Sequence, residues 1–198
     1  MDTIALLSGA AGLAWVSGFR LYLVLFLAGL LGRLEFVPLP TGLDLLTHDW
    51  VLAASGVMAV VEFLADKIPL VDSAWDAIHT FIRIPAGAVL AAAALGFDNP
   101  ALTLAAAIAG GAIASGAHLT KAGTRALINT SPEPFSNWGA SLAEDGMALG
   151  GLWAARAAPL VFLGLLALFL VVALLLIPRL LRAIRAVLRR LRGAGAAP

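Results

Sequence analysis

Apolar residues fall in long runs separated by short polar punctuation. Residues 160–177 carry no charge, and Pro178 and Arg179 close the run. At about 1.5 Å per residue these eighteen positions span roughly 27 Å, close to the hydrocarbon thickness of a bilayer. Further apolar stretches cover 4–32, 51–65, 84–97, 101–128 and 140–158, each bounded by Pro, Asp, Asn or Gly. The pattern predicts an all-α, polytopic membrane protein of about six transmembrane helices.

Composition agrees with this pattern. Of 198 residues, 61% are hydrophobic and 13% charged, about half the charged share of a soluble domain, which excludes a water-soluble globule. The net charge is +1, yet six of the thirteen cations (Arg179, Arg182, Arg185, Arg189, Arg190 and Arg192) sit in the last twenty residues. Basic charge confined to one short tail argues against nucleic acid as a partner. The absence of cysteine removes disulfides, thiolate nucleophiles and Cys-ligated metal. Residues 1–178 form one expected bundle. Residues 179–198 form a tail whose arginines and leucines occupy opposing arcs, the pattern of a basic amphipathic helix on the anionic lipid of the inner leaflet. Met1-Asp2-Thr3 lacks the positive start of a cleavable signal, so the first helix is expected to be retained.

Short cytoplasmic loops carry the Lys and Arg excess. The Arg-rich tail places the C-terminus inside, and alternation then puts residues 129–138 inside, 98–100 outside, 66–83 inside and 33–49 outside. Both termini are expected to be cytoplasmic, in a bacterial inner membrane. Arg33 and Arg156 fall on the outer side, against the rule.

Three echoes recur in order. Ser17-Gly18-Phe19-Arg20-Leu21 parallels Ser115-Gly116-Ala117-His118-Leu119, Asp49-Trp50 parallels Asn137-Trp138, and Ile84-Pro85 parallels Ala158-Pro159. Three helices separate each pair, which predicts a 3+3 inverted repeat over 1–97 and 100–178. Chance similarity in Ala-, Gly- and Leu-rich sequence is the competing explanation.

Ionisable residues inside apolar runs are expensive and therefore informative. A continuous helix over 4–32 would be about 43 Å long, so tilt or a break near Ser17-Gly18 must absorb the excess. Arg20 beside that junction could meet an anionic ligand, or it could pair with Glu62 or Glu144 and lock the bundle. Glu62 and Asp66 lie one helical turn apart. Asp72, Asp76, His79 and Arg83 share a stripe about 60° wide, opposite Trp75, Ile78, Phe81 and Ile82. Asp72, Asp76 and His79 have the spacing to supply oxygen and nitrogen ligands to a divalent ion. The same stripe could equally be the wet face of an interfacial helix. His118, Lys121 and Arg125 form a positive line toward the cytoplasm. Glu144 and Asp145, being adjacent, should point about 100° apart and not share one partner. Together Arg20, Glu62, Asp66, His118, Lys121, Arg125, Glu144 and Asp145 define an expected substrate or ion pathway on the inner half; mutual neutralisation is the alternative.

The segment 129–138 is the least generic. Pro132 and Pro134 flank Glu133 and oppose helix, Ser136 and Asn137 can cap the following helix, and Trp138 can anchor at the interface. The segment 129–138, with Ser17-Gly18-Phe19-Arg20-Leu21, Glu62-Phe63-Leu64-Ala65-Asp66-Lys67-Ile68-Pro69, the stretch Asp72 through Phe81, and Leu142-Ala143-Glu144-Asp145, resembles the bacterial membrane family catalogued as domain of unknown function 4126 (DUF4126), over about residues 8–158. The resemblance brings no activity; it implies that a site would be built from these polar strings.

No nucleotide-binding glycine loop, nucleophile elbow or His-Glu-x-x-His pattern occurs. The expected function is a small transporter or channel-like translocator with a polar site on the cytoplasmic half. A membrane-embedded metal-dependent enzyme acting on a lipid headgroup, and a noncatalytic assembly protein, remain open, as does a homodimer.

Overall fold

The computed structural model describes residues 3–130 and 134–194. Among these the protein is all-helical: α1 (Thr3–Arg33), a 3-10 segment (Thr41–Thr47), α2 (Asp49–Ala65), α3 (Val71–Leu95), α4 (Pro100–Ile128), α5 (Pro134–Ala157) and α6 (Pro159–Ala194). By length and composition α1, α3, α4 and α6 can each cross a bilayer, and the 3-10 segment with α2, bent by 71°, forms one further candidate span. Large apolar side chains such as Val89, Ile108, Leu168 and Leu174 point outward, as lipid-facing surface requires.

The helices are longer than the apolar runs. α3 starts at Val71, taking the charged stripe into the helix, and continues through Pro85. α6 continues through Pro178 into the arginine segment without a helix boundary. Pro132 and Glu133 lie outside the described residues, and Pro134 opens α5.

The main departure is α1. Arg20 has non-helical backbone angles (φ −141, ψ 71), and the helix doubles back there. Ala5, Leu6 and Gly9 line the same cavity as Leu27, Ala28 and Leu31, whereas an unbroken helix of 31 residues would separate its ends by about 45 Å. The neighbours confirm the reversal. On the first arm Ser8 donates to the Ala155 carbonyl at 2.8 Å, while Arg20 reaches Ser141, so this arm runs antiparallel to α5. On the second arm Phe26 meets Gly56, Gly29 meets Leu52, and Arg33 pairs with Asp49, so it runs antiparallel to α2. α1 is thus a helical hairpin with its tip at Arg20 and both ends at the end of the bundle that carries the α3–α4 and α5–α6 turns. α4, its mate in the expected repeat, has no such break.

Small residues bring the hairpin tip and its neighbours close. A Cβ at Gly18 would lie 2.6 Å from the Ala117 Cβ, and one at Gly110 would lie 2.6 Å from the Gly87 carbonyl oxygen. α1, α3 and α4 therefore pack backbone to backbone, as small-residue interfaces in membranes do. Trp15, Phe19, Phe162 and Phe169 fill the opposite side with edge-to-face rings 5.2–6.1 Å apart.

Candidate functional site: a buried charge network at the hairpin tip

A helix that stops leaves carbonyls without intrahelical partners. At the tip of α1 Lys121 supplies one: its Nζ donates to the Phe19 carbonyl at 3.2 Å. The same ammonium lies 2.7 Å from Asp66 Oδ2, 3.3 Å from Glu144 Oε2 and 3.6 Å from Asp76 Oδ1. Arg20 projects from the tip into the same carboxylates. It donates to Asp66 Oδ2 and to both Ser141 Oγ and the Ser141 carbonyl at 2.9 and 3.0 Å. Its Nε lies 2.9 Å from Asp145 Oδ1, and its Nη2 lies 3.6 Å from Glu144 Oε2.

Arg125 locks the C-terminal end of α4 to the first half of α5. It clamps Glu144 with two bonds of 2.9 and 3.0 Å, the bidentate geometry that suits a guanidinium. Its Nη1 donates to the Asp66 and Asn137 carbonyls and to Asn137 Oδ1. Asn137 in turn donates to Asn129 at 2.8 Å, and Asn129 to Asp72 Oδ1 at 2.6 Å.

The α3 stripe faces inward. Arg83 bridges Glu62 Oε1 and Asp76 Oδ1, each at 2.6 Å, and also donates to His118 Nδ1 at 3.3 Å. His118 Nε2 then donates to Thr80 Oγ1 at 2.7 Å, and Thr80 to the Asp76 carbonyl. His79 stacks on Trp75, donates through Nδ1 to the Trp75 carbonyl at 2.8 Å, and accepts from Tyr22 at 3.1 Å. These tautomers follow from which neighbours can only donate or only accept.

The side chains of Arg20, Arg83, Lys121, Arg125, Glu62, Asp66, Asp72 and Asp76 are at most 1% exposed, and Glu144 is 7% exposed. Among the described residues four buried cations therefore face five buried carboxylates, counting both imidazoles as neutral. At the rim Asp145, already held by Arg20 Nε, also feels the charge of Lys67, whose ammonium reaches Ser141 Oγ at 3.3 Å. One negative charge remains in excess. Among the described residues Glu62 Oε2, Asp66 Oδ1, Asp72 Oδ2 and Asp76 Oδ2 are buried with no hydrogen-bond partner. Asp72 is the carboxylate worst served by cations, with Arg125 at 3.6 Å. Asp66, in the α2–α3 connection, is opposed in two directions. Burial pushes its carboxyl up, but Lys121 and Arg20 outweigh that and hold it below the usual carboxylate range.

All eight residues of the expected pathway converge here, and Asp72, Asp76 and His79 join them, but several pairings differ from expectation. Arg20 takes Asp66, Asp145 and Glu144, while Glu62 goes to Arg83. Glu144 and Asp145 do share one partner, because the guanidinium is broad enough to offer Nε to one and Nη2 to the other. The α3 stripe is buried, so the wet interfacial reading of it fails; the apolar face with Ile78 and Phe81 is the exposed one. Asn137 lies inside the first turn of α5 and bonds to Arg125 and Asn129 instead of capping the helix. Trp138 Nε1 donates to the Lys67 carbonyl at 3.2 Å, tying α5 to the α2–α3 connection. Among the described residues no three of His, Asp and Glu are grouped so as to hold a metal ion; Asp76 faces Arg83, Asp72 faces Asn129, and His79 faces Tyr22. Tyr22, Asn129 and Ser141 were not singled out individually by sequence reasoning, since a lone Tyr, Asn or Ser in an apolar chain has no pattern of its own.

The family described as "Domain of unknown function (DUF4126)" matches the chain over residues 7–179. The chain belongs to that family. No curated protein and no solved structure matches it.

Proposed function

We propose that this DUF4126 member is a small proton-coupled translocator whose coupling site is the charge network at the tip of α1. The observation that carries the reading is the excess carboxylate: five buried acids against four buried cations, with four carboxylate oxygens unpartnered. An uncompensated charge at this depth is far more costly than a paired one. One exchangeable proton neutralises it, and Asp72, lacking a cation at hydrogen-bond distance, is its carrier. Releasing that proton would leave Asp72 repelled by Asp76 on the same stripe and attracted to Arg125, which already bridges α4, α5 and the α2–α3 connection. Protonation is thereby coupled to packing of the inner ends of the helices. Interrupted helices with charge at the interruption are a recurrent way to build such sites in transporters.

In this reading α2 to α6 cross the membrane, α1 enters and leaves from the outer side, and α6 delivers the arginine tail to the anionic inner leaflet of a bacterial cytoplasmic membrane. Thr3 then lies opposite the tail, in place of the shared cytoplasmic side that charge counting alone suggested.

Proteoliposomes loaded with a pH-sensitive dye test the proposal. Under an imposed pH gradient and a membrane potential clamped by valinomycin, the wild type should move protons faster than protein-free vesicles. Asp72→Asn, which keeps a partner for Asn129, should reduce this to the protein-free rate while the protein stays folded. Equal rates for wild type and protein-free vesicles, or for Asp72→Asn and wild type, would refute it.

A further inference from the structure

The two arms of α1 diverge from Arg20 and enclose a cavity of about 520 Å³ between themselves, the Val37–Leu43 connection and the outer end of α5. Its wall is apolar, with Leu13, Leu27 and Leu31 among the lining side chains, and its volume is that of a ligand pocket and not a packing defect. Among the described residues the one charged side chain on the wall is Arg156. Among the described residues Arg156 has no carboxylate at ion-pair distance, unlike Arg33, the other outer arginine, which is held by Asp49. Trp153, 71% exposed, lies one turn away on the same wall, a position that suits the headgroup level of a bilayer.

We infer that this cavity binds one acyl chain of an anionic glycerophospholipid from the outer leaflet, with the lipid phosphate on Arg156. The chemistry is complementary at both ends: an apolar slot open to the bilayer takes the chain, and an unpaired guanidinium at its mouth takes the phosphate, for which its planar fork is suited. The site explains why an arginine stands on the outer side against the inward bias of basic residues. The inference is independent of proton coupling, because no cavity-lining residue belongs to the charge network.

Purified protein should retain phospholipid through detergent washing, read by native mass spectrometry, at about one molecule per chain. Gly9 lies on the wall and a Cβ there meets nothing within 4 Å, so a side chain can start into the slot there; Gly9→Phe should lose the retained lipid while keeping a monodisperse, cooperatively melting protein. Should Gly9→Phe fold poorly, Gly9→Leu serves the same end with a smaller side chain. Arg156→Gln should bind phosphatidylglycerol and phosphatidylcholine equally, whereas the wild type prefers phosphatidylglycerol. Three results would overturn the inference: a lipid-free wild type, Gly9 variants that retain as much lipid as wild type, or an anionic preference unchanged in Arg156→Gln. A change in oligomeric state in the Gly9 variants, with no lipid on the wild type, would assign the cavity to a second copy of the chain instead.

Discussion

Lys121 donates to the carbonyl of Phe19 across 3.2 Å while also contacting Asp66 at 2.7 Å. One ammonium on α4 thus caps the broken first arm of α1 and neutralises the acid at the end of α2. The break and the charge network are a single construction: the hairpin tip frees a carbonyl that the Lys121 ammonium satisfies, and that cation in turn requires acids nearby.

Removing Lys121 should therefore cost more than one ion pair. Lys121→Gln leaves Asp66 short of a cation and the Phe19 carbonyl with a weaker donor, and losing one partner of a buried pair costs about 3–5 kcal/mol. Thermal unfolding in detergent should show a large drop, and adding Asp66→Asn to Lys121→Gln should recover part of it. Additive losses in the double variant would mean the two residues are not coupled.

The excess of carboxylates makes the network asymmetric. Arg83→Gln strands Glu62 and Asp76 together, so the loss should again be about 3–5 kcal/mol. Glu62→Gln still accepts from Arg83 through its amide oxygen and relieves the negative excess, so its cost should stay within about 1 kcal/mol. Chemical denaturation of both variants in matched micelles checks the order. Equal losses would show that Glu62 is needed as an anion and that the network carries no negative excess to relieve.

Asp66 gives the acid limb of stability its sign. Its carboxyl is held below the ordinary range by Lys121 and Arg20 against the opposing effect of burial, so the folded protein binds this proton less readily than the unfolded chain. The stabilisation is complete above the unfolded value, about 3.9, and disappears as pH falls through the lower folded value. The Asp66 contribution, read as the difference in melting temperature between the wild type and Asp66→Asn, should hold from neutral pH to about 4 and then shrink. Asp66→Asn, less stable at neutral pH, should show a flatter acid limb; an acid limb as steep as that of the wild type would place the responsible carboxylate elsewhere.

The polar site was largely legible in the sequence because a charge inside an apolar run has few places to go. Asp72, Asp76, His79 and Arg83 repeat at helical spacing, and all four are buried on one face of α3. The partners were less legible, since a long guanidinium reaches across angular offsets that a helical wheel treats as exclusive, as Glu144 and Asp145 show on Arg20. The hairpin was half visible. Excess length and Ser17-Gly18 located a break within three residues of Arg20, but α1 is apolar on every side, so no stripe marked which way the second arm would turn. α6 shows the converse: Pro178 suggested a boundary, yet the flanking leucines and arginines are strong helix formers and the helix runs on.

The direction of α1 decides the membrane topology, and the absence of native cysteine makes it directly measurable. With the hairpin, Thr3 shares a side with Asp98 in the α3–α4 turn, and both oppose Thr130 in the α4–α5 connection. With a straight first helix, Thr3 would share a side with Thr130. Single variants Thr3→Cys, Asp98→Cys and Thr130→Cys, challenged in intact cells with a membrane-impermeant maleimide, separate the two. Asp98→Cys should label and Thr130→Cys should label only after permeabilisation, as the arginine tail and the loop charges require. Thr3→Cys should behave like Asp98→Cys. If it labels only after permeabilisation, α1 crosses the bilayer, its ends cannot line one cavity, and the lipid site between the arms is lost along with the hairpin. Arg20 would then need another reason to sit among Asp66, Glu144 and Asp145, since the proposed coupling site depends on a tip that stops within the bundle.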